Sequence, residues 1–336
     1  MVGLTAIKNA LFRLGFCRFT VETSTRAMNF GIAVAHKHLR GLRYFEKQIY
    51  NYRLLLDLHD PGISTQLMIR GCREPEHRYI LQEELKPGMT VFDLGANIGY
   101  YSVMMAKIVG REGRVYAVEP FLPNFQLLNR NIRLNGLDDL IESYNLGIGK
   151  ETGLGQLYLS EKSNWHTFLP IDFSNQPAWV KKYTWKFMGP IPVQTMSIWD
   201  FIQNKRRIAL IRMDIEGYEV EVLEGLMPHM VGSDFKAKIL LETHPEFYHE
   251  QTHDMRSILR ELFTAGGYAA KYLVSDGHRG KKAGELFRRQ GYTEEHIVKL
   301  FRGCDRAIYK NISDNDAIEL IRRSELVHAA LLERNV

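Results

Sequence analysis

Residues 91–99 read Val-Phe-Asp-Leu-Gly-Ala-Asn-Ile-Gly. The apolar residues at the start of this stretch predict a short buried strand, and the glycines predict a tight turn behind it. From Tyr100 onward the apolar residues take helical spacing as far as Gly110, where we expect the helix to end. A strand, a glycine turn and a helix N-terminus together place backbone N–H groups and a positive dipole end where a polar or anionic ligand can bind.

The acidic residues around this turn indicate which nucleotide it suits. Glu119 ends the next predicted strand, 114–119, at the spacing where a βαβ nucleotide site places the acid that accepts from both ribose hydroxyls. A dinucleotide turn reads G-x-G-x-x-G, but Asn97 stands at the second glycine and Asp93 lies at the strand end. A carboxylate there repels a pyrophosphate but can hold an ammonium group, directly or through water. The pattern therefore disfavours NAD and favours S-adenosylmethionine; a turn that only permits tight packing is the alternative.

Beyond residue 90, strand-like apolar runs alternate with helical patterns, which predicts an α/β fold with a mostly parallel sheet. In such sheets ligands bind at the carboxyl ends of the strands, near the point where the strand order reverses. The residues predicted to bind the cofactor lie at these ends and in the glycine turn: Asp93, Gly95, Asn97, Gly99, Glu119, Pro120, Asn145 and Asp214.

Asp214 and Glu242 end the strands predicted at 208–214 and 238–242, and His244 follows the second of these strands. Asp214, Glu242 and His244 should converge on the methyl-donor side of the cofactor. His244 is the natural general base, because imidazole titrates near the working pH, and Asp214 or Glu242 would orient it or hold the acceptor hydroxyl. The same three side chains could instead bind Mg²⁺ or Mn²⁺, which would lower the pKa of that hydroxyl.

The segment 161–192 is rich in aromatic residues and holds three of the four tryptophans. Aromatic walls with a few polar tips suit a sugar ring or a flat ligand, although a loop folded over a core would use the same residues. The residues predicted to contact the acceptor are Glu74, Trp165, His166 and Glu216.

Four motifs together resemble those of the FkbM-type S-adenosylmethionine-dependent methyltransferases: Asp93-Leu-Gly-Ala-Asn-Ile-Gly99, Val118-Glu-Pro120, Arg212-Met-Asp-Ile-Glu-Gly-Tyr-Glu219 and Leu241-Glu-Thr-His-Pro245. The resemblance covers roughly residues 53–275. It implies a class I methyltransferase, Rossmann-like, with a mostly parallel seven-stranded sheet and helices on both faces. It also implies O-methylation of a hydroxyl, commonly on a sugar or a polyketide. We rank a glycan or glycolipid acceptor first; a small polyketide-type molecule and a non-catalytic nucleotide-binding scaffold are the alternatives.

The expected organisation has two parts. Residues 1–52 form a basic helical N-terminal extension, and residues 53–336 form the methyltransferase domain. That domain divides into a lead-in (53–85), a core (86–275), a helical insert (276–323) and a final strand (324–336). Within the first 85 residues, the patterns predict a helix over 27–58, a strand over 63–69 and a helix over 76–85.

Charge and composition bound the partners. Residues 1–53 contain nine basic and two acidic residues, so they carry +7 in a chain whose net charge is +5. A basic amphipathic helix within residues 1–20 could lie on an anionic membrane surface, or pack on the main domain or on a second subunit of a homo-oligomer. Asp214-Ile-Glu-Gly lacks the Pro-Pro-aromatic pattern that grips a flipped base, which argues against nucleic acid. Three scattered cysteines and no long apolar run predict a cytoplasmic protein, with peripheral membrane contact as the variant.

Overall fold

The computed structural model describes residues 28–29, 31, 41–170, 187–231, 234–248, 251–276, 280–299, 305–322 and 326–335. The chain forms two compact units, Met1–Arg73 and Glu74–Val336. In the part of the chain that is described, no helix has both the length and the apolar character needed to cross a membrane.

The smaller unit contains an antiparallel hairpin followed by a helix. Its elements are β1 Tyr44–Ile49, β2 Tyr52–Asp57 and α1 Ile63–Arg70. The predicted helix over 27–58 is wrong across the hairpin, because the buried residues of β2 alternate with a period of two, as in a strand. The predicted strand over 63–69 is also wrong. Asp60 accepts hydrogen bonds from the backbone N–H groups of Gly62 and Ser64 and so starts a helix instead.

The strands of the larger unit are β3 Thr90–Leu94, β4 Arg114–Val118, β5 Ile141–Tyr144, β6 Gly147–Gly149, β7 Gly153–Ser160, β8 Phe187–Ser197, β9 Ile208–Met213, β10 Lys238–Glu242, β11 Tyr268–Ser275, β12 Glu294–Val298, β13 Arg306–Tyr309 and β14 Val327–Arg334. Its helices are α2 Pro75–Glu84, α3 Tyr100–Val109, α4 Leu122–Leu134, α5 Ile198–Ile202, α6 Glu219–Met230, α7 Met255–Thr264, α8 Gly280–Arg289 and α9 Asp314–Arg322. A short 3₁₀ turn spans Pro245–Phe247.

The central sheet has the order β12-β13-β11-β14-β10-β9-β3-β4-β5. The five strands from β10 to β5 are parallel, while β14 is antiparallel to both β10 and β11. The seven strands from β11 to β5 have the order of a class I methyltransferase, which confirms the predicted fold class. After β3 the chain adds β4 and β5 on one side of that strand, and it later adds β9 and β10 on the other side of β3. The order therefore reverses beside β3, where a ligand site is expected.

The insert at 276–323 differs from the helical segment that was predicted. Two helices, α8 and α9, are present, but β12 and β13 add to the β11 edge and make the sheet nine-stranded. The residues Ala307, Ile308 and Tyr309 of β13 are all buried. A run of this length has too few residues to distinguish a strand from a helix by periodicity.

A separate small sheet with the order β6-β8-β7 follows β5. It begins where the chain leaves the carboxyl end of β5, so it lies next to the edge at which a ligand is expected. Within it, β8 pairs in parallel with β6 and antiparallel with β7.

Candidate functional site

A cavity opens at the carboxyl ends of β3, β4 and β9. It encloses about 540 Å³, counted with the solvent space at its mouth. Its walls combine apolar residues with a few polar ones: Leu94, Gly95, Val118, Glu119, Pro120, Leu146, Gly147, Ile148, Leu157, Ser163, Asn164, His166, Phe168, Asp214, Ile215, Glu216 and Tyr218. Six of the residues predicted for cofactor or acceptor lie in these walls: Gly95, Glu119, Pro120, His166, Asp214 and Glu216.

Glu119 is held in place by the backbone on both sides of its carboxylate. Its Oε2 accepts the N–H of Asn97 at 2.8 Å, and its Oε1 accepts the N–H of Phe121 at 2.9 Å. Burial raises the pKa of Glu119 to about 7, and these two hydrogen bonds and a third from the Asn124 side chain oppose the shift. A carboxylate has about four lone pairs, so acceptor capacity remains for a ribose hydroxyl beside these three contacts.

The glycine turn takes left-handed backbone conformations at Gly95, Asn97 and Gly99. A Cβ on Gly95 would lie 2.0 Å from the backbone oxygen of Asp214, so the turn packs directly against the end of β9. Asn97 replaces the expected second glycine because asparagine tolerates this conformation. Its side chain also holds the turn: Oδ1 accepts the N–H of Ile98, and Nδ2 donates to the carbonyl of Ser163.

Asp93 does not contribute to the cavity walls as described. Its side chain is fully buried, with Oδ1 accepting from Arg212 Nη1 at 2.9 Å and Oδ2 accepting from Ser102. Arg212 also donates to Asp214 at 2.8 Å, and its guanidinium lies 3.9 Å above the ring of Tyr101. The carboxylate predicted to hold an ammonium group is instead half of a buried ion pair that fixes Asp214 in the cavity wall.

The segment after β7 lies over the glycine turn. The carbonyl of Ser163 accepts from both Asn97 and Asn124, and Thr167 donates to the carbonyl of Glu216 at 2.7 Å. His166 faces the cavity while its Nδ1 accepts the N–H of Ser160. The segment thus bridges the two sides of the cavity mouth.

Besides Asp93, Asn97 and Gly99, three more residues predicted for cofactor or acceptor are not part of the cavity walls. Trp165 is half-buried beneath the ammonium of Lys162, 4.3 Å from the ring centre. Asn145 donates to the carbonyls of Glu119 and Pro120 and so shapes the loop from behind. Glu74 accepts from the hydroxyl of Tyr101 at 2.7 Å. The tryptophans at 179 and 185 lie outside the described residues.

His244 is surrounded by carboxylates. Its Nδ1 lies 3.1 Å from Glu219 Oε1, and its Nε2 lies 3.5 Å from Glu216 and 3.9 Å from Asp214. Burial alone would lower the pKa of the imidazole, but Glu219, Glu216 and then Glu242 outweigh it and raise that pKa well above its ordinary value. An imidazole that keeps its proton at neutral pH cannot accept another, so these surroundings do not support His244 as the general base.

The residues predicted for the site did not include two members of this cluster, Glu219 and Tyr248. Glu219 is fully buried and accepts from the N–H of Ile215 as well as facing His244. The hydroxyl oxygen of Tyr248 accepts a hydrogen bond from the backbone N–H of His244 at 3.1 Å. The sequence did contain one signal of this cluster, Arg212, which is a charged residue in the otherwise apolar run of β9. A charged residue in a buried strand indicates a buried partner of opposite charge.

The ligand atoms of Asp214, Glu242 and His244 lie within 4.8 Å of one another, so the convergence predicted for these residues is present. Neither Glu242 nor His244 is among the residues of the cavity walls, and Oε1 of Glu242 lies 3.6 Å from Nε2 of His328. Asp214 and His244 are each held by another charged group, Arg212 and Glu219 respectively. An ion at these three residues would have to compete with both pairs.

Comparison with known proteins gives the family. The profile described as Methyltransferase FkbM domain matches residues 93–268, just over half of the chain. The chain belongs to the FkbM methyltransferase family. The match begins at Asp93, at the end of β3, and ends at the first residue of β11, so it contains the glycine turn, Glu119 and the whole His244 cluster.

Two curated proteins are similar over shorter stretches. "Methyltransferase 1" of Beauveria bassiana is 25% identical over 151 residues, which are 40% of this chain and 57% of that protein. Protein-L-isoaspartate O-methyltransferase 1 of Arabidopsis thaliana is 29% identical over 93 residues, 28% of this chain and 37% of that protein. The chain thus spans about half, or less, of the length of these relatives.

Among solved structures, Methyltransferase FkbM from Methylobacillus flagellatus is 16% identical with a TM-score of 0.36, covering 74% of this chain and 52% of that one. M. jannaschii TYW2 in complex with AdoMet is 13% identical with a TM-score of 0.39, covering 87% of each chain.

The walls of the FkbM cavity offer acceptors that match the hydrogen-bond donors of S-adenosylmethionine. Glu119 offers two acceptor oxygens for a ribose diol, and Asp214 and Glu216 offer carboxylates to an ammonium group. Gly147 matters for the apolar wall, because a Cβ there would lie 2.4 Å from the ring of Phe168. The Phe168 ring can therefore pack against this strand only because residue 147 has no side chain, and both residues line the cavity.

Proposed function

We propose that this FkbM protein is an S-adenosylmethionine-dependent O-methyltransferase that modifies a sugar hydroxyl of a glycan or glycolipid. The observation that carries the proposal is Glu119, whose carboxylate is fixed by two backbone N–H groups in the wall of a cavity at the switch point of the sheet. When bound, the cofactor supplies an electrophilic methyl group on a positively charged sulfur.

The residues of the cavity divide between the parts of the cofactor. Glu119 would accept from the ribose hydroxyls, and Leu146, Ile148 and Phe168 would pack against the adenine. Five carboxylates lie around two cationic side chains, Arg212 and His244: Asp93, Asp214, Glu216, Glu219 and Glu242. This local surplus of negative charge favours a cationic ligand.

Methylation of a hydroxyl requires that its proton leaves as the oxygen attacks. Because its raised pKa keeps the His244 imidazole charged, we assign proton acceptance to a carboxylate, Asp214 or Glu216, both of which line the cavity. The His244 imidazolium would then donate to a neighbouring oxygen of the acceptor. Glu242, predicted as a catalytic residue, would act through His244 by stabilising the protonated imidazole.

A sugar acceptor is favoured by this same cluster. A polyol presents several hydroxyl donors, and Asp214 and Glu216 in the cavity wall offer matching acceptors. An apolar acceptor would remove Asp214 and Glu216 from water without adding a hydrogen bond to either, which is unfavourable. Glu216 also has a left-handed backbone conformation with φ 52°, and such strain in a non-glycine residue is concentrated at functional sites.

Transfer of a labelled methyl group from S-adenosylmethionine to a panel of glycans and glycolipids tests the proposal. His244→Gln should still bind S-adenosylhomocysteine. Of Asp214→Asn and Glu216→Gln, the variant that removes the base should bind it while turnover falls by about 10²–10⁴-fold, and the variant that removes the ammonium contact should bind it more weakly. Full turnover in both Asp214→Asn and Glu216→Gln would reject the assignment of the base. Cofactor binding with no transfer to any acceptor in the panel would favour a non-catalytic scaffold or a small-molecule acceptor.

We further propose that residues 1–20 contact an anionic membrane that carries the glycolipid. Residues 1–20 lie outside the described residues. Co-sedimentation with anionic vesicles should decrease when residues 1–20 are deleted and when the salt concentration is raised. Binding that is insensitive to the deletion would contradict the proposal.

A further inference from the structure

A second group of metal-ligating side chains lies outside the cavity walls as described. It consists of His77 on α2, Glu242 at the end of β10 and His328 on β14. One ligand atom from each residue lies within 4.8 Å of those of the other two. Three elements that are distant in the chain therefore bring two imidazoles and a carboxylate together beside the His244 cluster.

His77 is the member of this group that points to a ligand. Its side chain is 1% exposed, and neither ring nitrogen has a hydrogen-bond partner among the described residues. The nearest carboxylate oxygen, on Glu74, is 3.6 Å from Nδ1, which is beyond hydrogen-bond distance. Buried polar groups in native proteins are almost always hydrogen-bonded, so a buried imidazole of this kind calls for an explanation.

The rings around His77 fix its position. His77 stacks on His328 with the ring centres 5.6 Å apart, and Tyr101 lies 5.7 Å away on another side. His328 Nε2 lies 3.6 Å from Glu242 and 3.4 Å from Glu76. Because Glu76 also pairs with Arg306, Glu242 is the carboxylate of this group that can face an ion together with the two rings.

We propose that His77, Glu242 and His328 bind one divalent first-row transition ion, such as Mn²⁺, Fe²⁺, Co²⁺ or Zn²⁺. Two imidazole nitrogens and one carboxylate are a donor set that such ions accept, whereas Mg²⁺ and Ca²⁺ select oxygen ligands. Three protein ligands leave coordination positions for water or for an oxygen of a substrate.

This set differs from the group predicted from sequence, Asp214, Glu242 and His244. In that group the imidazole is bound through Nδ1 to Glu219, and Asp214 is paired with Arg212. An ion there would replace existing interactions, whereas an ion at His77 would supply a partner to a ring nitrogen that has no hydrogen bond in the described structure. Glu242 belongs to both groups, so it cannot tell them apart, but the histidines can.

Titration of the chelator-treated full chain with Co²⁺ alone tests the proposal, because nitrogen ligation of Co²⁺ gives visible absorption bands. We expect one Co²⁺ per chain. His77→Gln and His328→Gln should each weaken binding by at least about tenfold, the loss typical even of groups that only support a ligand. His253→Gln is the matched control, since His253 is also beside a carboxylate, Glu221 at 2.8 Å, but lies outside the group.

Circular dichroism and thermal unfolding of each variant show whether it is folded. If His77→Gln does not fold, His328→Gln decides, because His328 is 12% exposed and tolerates substitution more readily. Absence of Co²⁺ binding by the folded wild-type chain would overturn the proposal. So would binding that survives in His328→Gln and is lost in His244→Gln. Since the titration uses neither cofactor nor acceptor, its failure would leave the proposed methyl transfer intact.

Discussion

Arg212 is the side chain whose removal should damage the larger unit most. It is 2% exposed and bridges the fully buried Asp93 and the largely buried Asp214. Arg212→Met keeps most of the side-chain volume but leaves both carboxylates without their cation. Removing one partner of a buried ion pair costs about 3–5 kcal/mol, because the remaining charge is buried and uncompensated. That loss is a large fraction of the roughly 5–15 kcal/mol that stabilises a typical native protein.

Urea unfolding of the full chain, followed by circular dichroism, measures this loss. The midpoint should fall while the slope of free energy against urea concentration stays the same. Arg288→Met is the matched control, because Arg288 also pairs with a carboxylate, Glu294 at 2.8 Å, but is 54% exposed. Its loss should be about 1 kcal/mol or less.

The double variant Asp93→Asn/Arg212→Met isolates the interaction. Neutralising Asp93 removes one of the two uncompensated charges, so the double variant should be more stable than the sum of the two single losses implies. A loss below about 1 kcal/mol in Arg212→Met, equal to that of the surface control, would refute the reasoning that Arg212 holds Asp93 and Asp214 in place.

Three further predictions concern the cavity. Asn97→Ala should lose about 1–2 kcal/mol of stability from the strain of its left-handed backbone, in addition to the hydrogen bond to Ser163. Asn97→Gly should lose mainly the hydrogen bond, because glycine adopts this backbone conformation without strain. Equal losses of stability for the two variants in chemical unfolding would contradict this reasoning. Gly147→Val should displace the ring of Phe168 and so weaken the binding of S-adenosylhomocysteine, as measured by calorimetry. Unchanged affinity would contradict the proposed packing of that ring against the adenine. The raised pKa of His244 stabilises the fold fully below its unfolded value near 6.5, and this stabilisation is lost as the pH rises through the folded pKa. The deficit of His244→Gln in urea should therefore be largest near pH 6 and shrink at higher pH, and a deficit that grows with pH would contradict the assignment.

The core of the fold could be predicted because its signals are local and long enough. The strand before Gly95, the helix from Tyr100 to Val109 and the acid at Glu119 all lie where periodicity and spacing put them. The smaller unit and the insert could not be predicted in the same way. Strands of four to six residues, such as Tyr44–Ile49 and Arg306–Tyr309, are stabilised by partners in the sheet rather than by a pattern of their own.

The candidate site divides along the same line. The sequence was enough to predict that Asp214, Glu242 and His244 lie close together, because parallel strands end at one edge of a sheet. It could not show that Asp93 turns inward to Arg212, since the direction of one side chain depends on a partner 119 residues away. The charge state of His244 was equally hidden, because it depends on Glu219 and Glu216 rather than on the histidine itself.

Calorimetric titration with S-adenosylhomocysteine tests the central claim most directly. The wild-type chain should bind one equivalent. Glu119→Gln should bind more weakly by about 10–100-fold, because it loses charge-assisted hydrogen bonds worth about 1.5–3 kcal/mol. Glu142→Gln, an exposed acid on β5, should bind like the wild type. No binding by the folded wild-type chain, or full affinity in Glu119→Gln, would contradict a cofactor site built around Glu119.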